Sequence, residues 1–149
     1  MVGPSGAEWL LCDTSFVGWS ARHAAAPERF AHWPAAALQR IDRAILAISV
    51  ITLAEVRFGY RNANWGQSRI AREEQRLAGF AQVPLDASTL DEWARLKDLS
   101  KRNAWNVSDN DLWIAATAAG RGYGLLTCDS DQARIVDSGL EVLHLAPPI

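Results

Sequence analysis

Four acidic residues each stand where an apolar run ends or a helix opens. Asp13 follows WLLC, Glu55 follows ISVITLA, Asp111 opens the run LWIAATA, and Asp129 follows GLLTC. A carboxylate just beyond a buried strand, or in the first turn after one, sits at the rim of a sheet. Several such rims brought together make a nest of like charges that repel one another unless a cation neutralises them. Metal binding is therefore the chemistry to which these residues first point.

Each acid also has a plainer explanation. Thr52-x-x-Glu55 spells a capping box, in which Glu55 reaches back to the amide of its own helix cap. Ser108 is a good N-cap, with Asp109 and Asp111 favoured by the dipole of the first turn. Asp13 and Asp129 fit ordinary turns that start a helix. Four independent caps, however, have no reason to converge on one edge.

The elements that must position the acids alternate in type. Apolar runs too short for helices mark strands at 9–12, 44–50, 124–127 and 142–145, with a brief edge strand at 83–85 where Pro84 is tolerated. Helical patterns occupy 52–62, 67–82, 88–102, 109–119 and 130–138, and an irregular helical stretch at 15–43 is broken at Pro27 and Pro34. Alternation of this kind predicts an α/β fold with a parallel sheet covered on both faces, whose ligands bind beyond the carboxyl ends of the strands. Asp13 and Asp129 fall at those ends, and Glu55 and Asp111 open helices at the same rim. The small residues Ala115, Ala116, Thr117, Ala118 and Ala119 let their helix approach the sheet closely, which fixes Asp111 against the other acids.

The chain of 149 residues is expected to form one domain over 1–149, and its 49% hydrophobic content is ordinary. No apolar run reaches the ~18 residues of a membrane helix. The first residues, MVGPSGAEWLLCD, lack the basic region of a secretory signal, so a cytoplasmic protein without a membrane partner is expected. A formal net charge of −2 argues weakly against non-specific nucleic-acid binding. It hides a local pattern in which Arg57, Arg61, Arg69, Arg72 and Arg76 face only Glu73 and Glu74. That pattern reads either as a solvated helix face with ion pairs or as a positive rim able to hold a polyanion. Cys12 and Cys128 read as small buried hydrophobes, and the three histidines show no zinc spacing.

Taken in order, LLCDTS, ITLAEVRFG, SDNDLWIAATA and LLTCDSD resemble the motifs of a PIN domain, and specifically of the VapC-type toxins of toxin–antitoxin pairs. The resemblance covers almost the whole chain. It implies a three-layer α/β/α sandwich with a five-stranded parallel sheet in the order 3-2-1-4-5. It also implies a Mg²⁺- or Mn²⁺-dependent endoribonuclease whose products carry 5′-phosphate and 3′-hydroxyl ends. Asp13, Glu55, Asp111 and Asp129 occupy the family's acidic positions. Asp13 and Asp111 are expected as direct metal ligands, with Asp129 binding directly or through water and Glu55 orienting or deprotonating the attacking water. Ser15 and Thr127 fall where hydroxyls support the ligands, and Asp131 is a further supporting acid. The substrate is expected to be single-stranded or looped RNA, with Arg57 and Arg61 beyond Glu55 on its backbone. Trp105 and Trp113 are offered for base stacking, although packing suits them better. The expected partners are a cognate antitoxin, in a hetero-oligomer, and a second copy of the chain. Trp19, Trp33 and Trp65 would suit an antitoxin groove or, equally, the core.

Two other classes compete. The first is a binding module of the same fold that acts through an antitoxin-like partner with little nuclease activity. The second is a phosphoacceptor receiver domain, which needs an acidic pair after the first strand and a lysine after the last. Here a single Asp13 follows the first strand and no lysine follows Lys101, so the receiver reading is rejected.

Overall fold

β1 (Trp9–Cys12) runs through the centre of a five-stranded sheet in a computed structural model that describes residues 6–149, the side chains of 136–138 excepted. The expectation drawn from the first residues rests partly on 1–5, which lie outside the described residues. β2 (Ile45–Ser49) and β4 (Gly124–Thr127) flank β1, with Cys12 opposite Ile48 on one side and Leu126 on the other. β3 (Ala81–Val83) and β5 (Val142–His144) form the edges, giving the order 3-2-1-4-5 with every pair parallel. The chain leaves β1 toward β2 and β3, then crosses back to β4 and β5. The switch point therefore lies between β1 and β4, where open parallel sheets leave a crevice for ligands.

Helices cover both faces because alternate strand residues point to opposite sides. Leu10, Cys12, Ile48 and Leu126 pack with Phe16 and Val17 of α1 (Thr14–Ala25), Leu53 of α3 (Val50–Asn62) and Leu77 of α4 (Gln67–Leu77). Between α1 and α3 lie a short 3₁₀ helix, Pro27–Phe30, and α2 (Ala35–Arg43), broken where Pro27 and Pro34 predict. On the other face Leu11, Ala47 and Leu125 meet Leu96 of α5 (Ala87–Asn103) and Leu112, Ile114 and Ala115 of α6 (Asp109–Arg121). The result is the expected three-layer sandwich.

α5 and α6 pack tightly, and Trp93 stacks on Trp113 with centroids 4.8 Å apart. Trp113 is thereby spent on packing. A Cβ at Gly120 would stand 3.1 Å from the backbone carbon of Ser88, so glycine is what lets the start of α5 touch the end of α6. Trp33 is core: it packs on Phe16, Phe30 and His23, and its indole nitrogen donates to the carbonyl of Ala146 at 2.7 Å. At the amino ends of the strands, Arg40 of α2 bridges Glu8 at 2.6 Å and Glu141 at 2.5 Å.

Several boundaries move from their expected places. α3 begins at Val50 rather than 52, because Ser49 turns out of β2 and caps the helix by accepting from the Ile51 amide. α4 stops at Leu77 rather than 82, and β3 starts at Ala81 because pairing with Ala47 claims the segment. The 130–138 segment is a 3₁₀ helix, Gln132–Ser138, preceded by a turn on Asp129. Among the described residues no helix is long and apolar enough to cross a membrane.

Candidate active site

Asp13 leaves β1 at the switch point, is only 3% exposed, and caps α1 by accepting from the Phe16 amide at 2.9 Å. The same oxygen, Oδ1, accepts from Ser15 Oγ at 2.7 Å, and Oδ2 accepts from Thr127 Oγ1. A carboxylate offers roughly four acceptor positions. Three are filled, and among the described residues nothing fills the fourth, on Oδ2. Burial pushes the Asp13 carboxyl up to about 6, against the pull of its three donors, and the charge of Asp111 adds to the rise.

Ser15 and Thr127 each serve two strands. Ser15 Oγ accepts from the Cys128 amide at 3.0 Å while it donates to Asp13. Thr127 Oγ1 accepts from the Asp129 amide at 2.9 Å while it donates to the other oxygen of Asp13. The two hydroxyls thus clamp the end of β1 to the exit of β4, whose next turn carries Asp129. Asp129 then accepts from the Asp131 amide at 2.9 Å, which turns the chain into the 3₁₀ helix.

Asp111 arrives from the opposite layer at the start of α6, in a capping box with Ser108. The cap accounts for one side of this carboxylate only. Its pKa is raised by burial, and the nearby charges of Asp129 and Asp131 push the same way. Asp109, two residues earlier, turns outward to Lys97 at 2.7 Å and is not brought to the cluster.

Glu55 loses its capping explanation. Thr52 is buried inside α3, not at its cap, and Glu55 Oε1 accepts from Thr14 Oγ1 at 2.7 Å. Thr14, next to Asp13 in the chain, thus ties Glu55 directly to the end of β1, and its hydroxyl also lies 3.2 Å from that of Thr52. Arg57 is not at this rim: it pairs with Glu74 of α4 at 2.9 Å. Arg61 is exposed near the end of α3. On a helix of about 3.6 residues per turn, positions two and six beyond Glu55 face away from it.

Among the described residues no three His, Cys, Asp or Glu side chains lie close enough to enclose an ion by themselves. The donor set instead suits a hydrated Mg²⁺, which takes one or two carboxylates and keeps several waters. Asp13, Glu55, Asp111 and Asp129 have no Lys or Arg partner among the described residues, so their charge is uncompensated. Sulfur ligands do not suit, because burial drives the Cys12 thiol well above its usual range and the Cys128 thiol up to about 12.

The PIN domain family model matches residues 10–137, and so takes in every element from β1 to the 3₁₀ helix after β4. The chain belongs to the PIN domain family. Ribonuclease VapC4 of Mycobacterium tuberculosis is 32% identical to this PIN domain over 130 residues, covering 85% of it and 91% of the relative. Ribonuclease VapC5 of the same organism is 34% identical over 103 residues, 65% of this chain and 76% of its own. Among solved structures, VapBC-5 from M. tuberculosis superposes with a TM-score of 0.62 at 28% identity, over 93% of this chain and 98% of that one. VapBC-1 from nontypeable Haemophilus influenzae reaches a TM-score of 0.74 at 18% identity, over 92% and 98% of the two chains, a likeness of fold.

Three positioning residues of this PIN domain escape a reading of the sequence. Thr14 holds Glu55, Asn106 donates to Asp131 at 3.2 Å, and the fully buried Gln132 donates to the Asp111 carbonyl at 3.1 Å. Thr14 carried a signal, as a hydroxyl between Asp13 and Ser15. Gln132 and Asn106 carried none, since their partners lie in other elements.

Proposed function

We propose that the protein is a divalent-metal-dependent endoribonuclease, the toxin of a toxin–antitoxin pair. The observation that carries this reading is Asp13: a buried carboxylate at the switch point of a PIN fold, within reach of the charge of Asp111, which in turn feels Asp129, and with one acceptor position open and no cationic partner among the described residues. The printed names of the two mycobacterial relatives, both ribonucleases, support the choice of RNA.

Asp13 and Asp111 are the residues that would hold Mg²⁺ or Mn²⁺, with Asp129 completing the set directly or through water. Such an ion lowers the pKa of a bound water and stabilises charge on a phosphodiester and its leaving oxygen. Ser15 and Thr127 fix both oxygens of Asp13, so the ligand does not swing when substrate arrives. Thr14 holds one oxygen of Glu55 and leaves the other to take the proton of an attacking water. Asn106 holds Asp131 at the margin, where its charge adds to the attraction for a cation.

The antitoxin is the natural partner, because the solved relatives include VapBC complexes. A homodimer is a further expectation of the same reading. The test is cleavage of a defined RNA set by purified protein in Mg²⁺ or Mn²⁺, with ends mapped for wild type and Asp13→Asn. Metal-dependent ends that vanish in the variant are expected; cleavage that survives it would sink the assignment.

A further inference from the structure

Three guanidiniums away from the acidic rim line one groove and have no carboxylate partner among the described residues. Arg22 of α1 and Arg69 and Arg72 of α4 flank a cleft of about 470 Å³ whose wall includes Gly18, Trp65 and the Arg76–Glu73 pair. Arg76 is satisfied, by Glu73 at 2.6 Å and by the Val17 carbonyl at 3.1 Å. The other three are not, so four arginines against the single Glu73 leave the groove a formal +3 in a chain of net charge −2.

Two of these cations are held over indole rings. Arg69 lies 3.6 Å from the centroid of Trp65, and Arg22 lies 4.5 Å from that of Trp19. Tyr60 in turn packs on Trp65 with ring centroids 6.2 Å apart. A guanidinium stacked on a ring keeps its edge donors free and loses little freedom on meeting an anion. α4 starts beside Trp65 with Gly66 as its cap and no side-chain acceptor, so its first amides add positive potential to the same place.

α1 links the groove to the site, since Asp13 caps the helix whose Gly18 lines the cleft. Gly18 lies five residues beyond Asp13, about 7.5 Å along the helix axis at about 1.5 Å per residue. Arg76 ties the end of α4 to α1 through its bond to the Val17 carbonyl. An apolar helix seated here would bury three unpaired charges. A chain of repeating anions would pair them and pass on to the rim.

We propose that the cleft between α1 and α4 is a backbone track for single-stranded RNA, with phosphates held by Arg22, Arg69 and Arg72 while the scissile bond lies at the acids. The inference rests on the ribonuclease reading and adds to it a second, sequence-independent contact.

The test is fluorescence anisotropy of a labelled single-stranded RNA of about 20 nucleotides, in an Asp13→Asn background, as salt is varied. Replacing Arg22, Arg69 and Arg72 together by Gln should weaken binding at least ten-fold. It should also lower the slope of log affinity against log salt by about 2, since each lost phosphate contact removes about 0.7. The triple Lys variant should recover most of that slope, which a merely structural role would not predict. Unchanged affinity and slope in the Gln variant overturn the proposal. So does a variant that loses only a co-expressed antitoxin and keeps the RNA slope, because the groove is then a protein surface. Wild-type protein that cuts no RNA removes the ribonuclease reading instead, and the salt slope still decides whether the groove holds RNA.

Discussion

Thr127 and Asp13, 114 residues apart, share a buried hydrogen bond that joins the ends of β1 and β4. The same hydroxyl accepts the Asp129 amide, so one side chain sets two of the four acids. Thr127→Val keeps the shape and removes both bonds. It should cost about 1–3 kcal/mol of stability, from the donor and acceptor left unpaired. Metal affinity and RNA cleavage should fall ~10- to 100-fold, the usual effect of losing a partner behind a ligand. Urea unfolding and isothermal titration with Mn²⁺ check both; an unchanged affinity would show that Thr127 only packs.

Asp13 also makes stability depend on pH with a definite sign. Its carboxyl sits near 6 in the fold against 3.8 in the unfolded chain, so the folded state binds the extra proton between those values. The stabilisation is therefore complete below pH 3.8 and is lost as pH rises through about 6. The interval corresponds to roughly 3 kcal/mol. Asp111 contributes with the same sign. In EDTA, Asp13→Asn should flatten the fall measured by denaturant unfolding between pH 4 and 7, and millimolar Mg²⁺ should shrink it in wild type. Parallel curves for variant and wild type would refute the assignment.

Glu55 depends on its neighbour across the helix interface. Thr14→Val removes the donor at 2.7 Å and frees the carboxylate to rotate, so cleavage should drop about ten-fold, with Thr14→Ser restoring it. Glu55→Gln should lose more, because the acceptor for the water proton goes with the charge. Single-turnover cleavage at saturating metal separates the two, and equal losses would remove the proposed proton role.

Asp109 provides the contrast. It sits two residues from Asp111 but pairs with Lys97 at the surface. Asp109→Asn should alter RNA cleavage less than two-fold and stability by no more than about 0.5 kcal/mol. Asp111→Asn in the same assay should abolish metal-dependent cleavage. A large loss from Asp109→Asn would place it in the site after all.

The strands and their acids were readable because short apolar runs leave few options, and an acid just past such a run has to lie at a sheet rim. What stayed hidden was decided by long-range pairing. Thr52 spells a cap in the sequence, but the turn out of β2 makes Ser49 the cap, which leaves Thr52 to be buried against Thr14. The end of α4 was misplaced because pairing of Ala81 with Ala47 outweighed local helical preference. The arginine-rich stretch looked uniform until tertiary contacts divided it. Glu74 reaches across to Arg57, Glu73 stays with Arg76, and Arg69 and Arg72 keep their charge for the groove.

Arg40 gives the sheet an electrical polarity along its strands. At the amino ends it pairs with both Glu8 and Glu141, whereas at the carboxyl ends the acids have no cationic partner among the described residues. Opening fluctuations should therefore be unequal at the two ends of the same strands. Amide exchange at Cys128 and Asp129 should outpace that at Ile45 and Leu125, and a divalent ion should slow it at the acidic end alone, leaving the Arg40 end as it was.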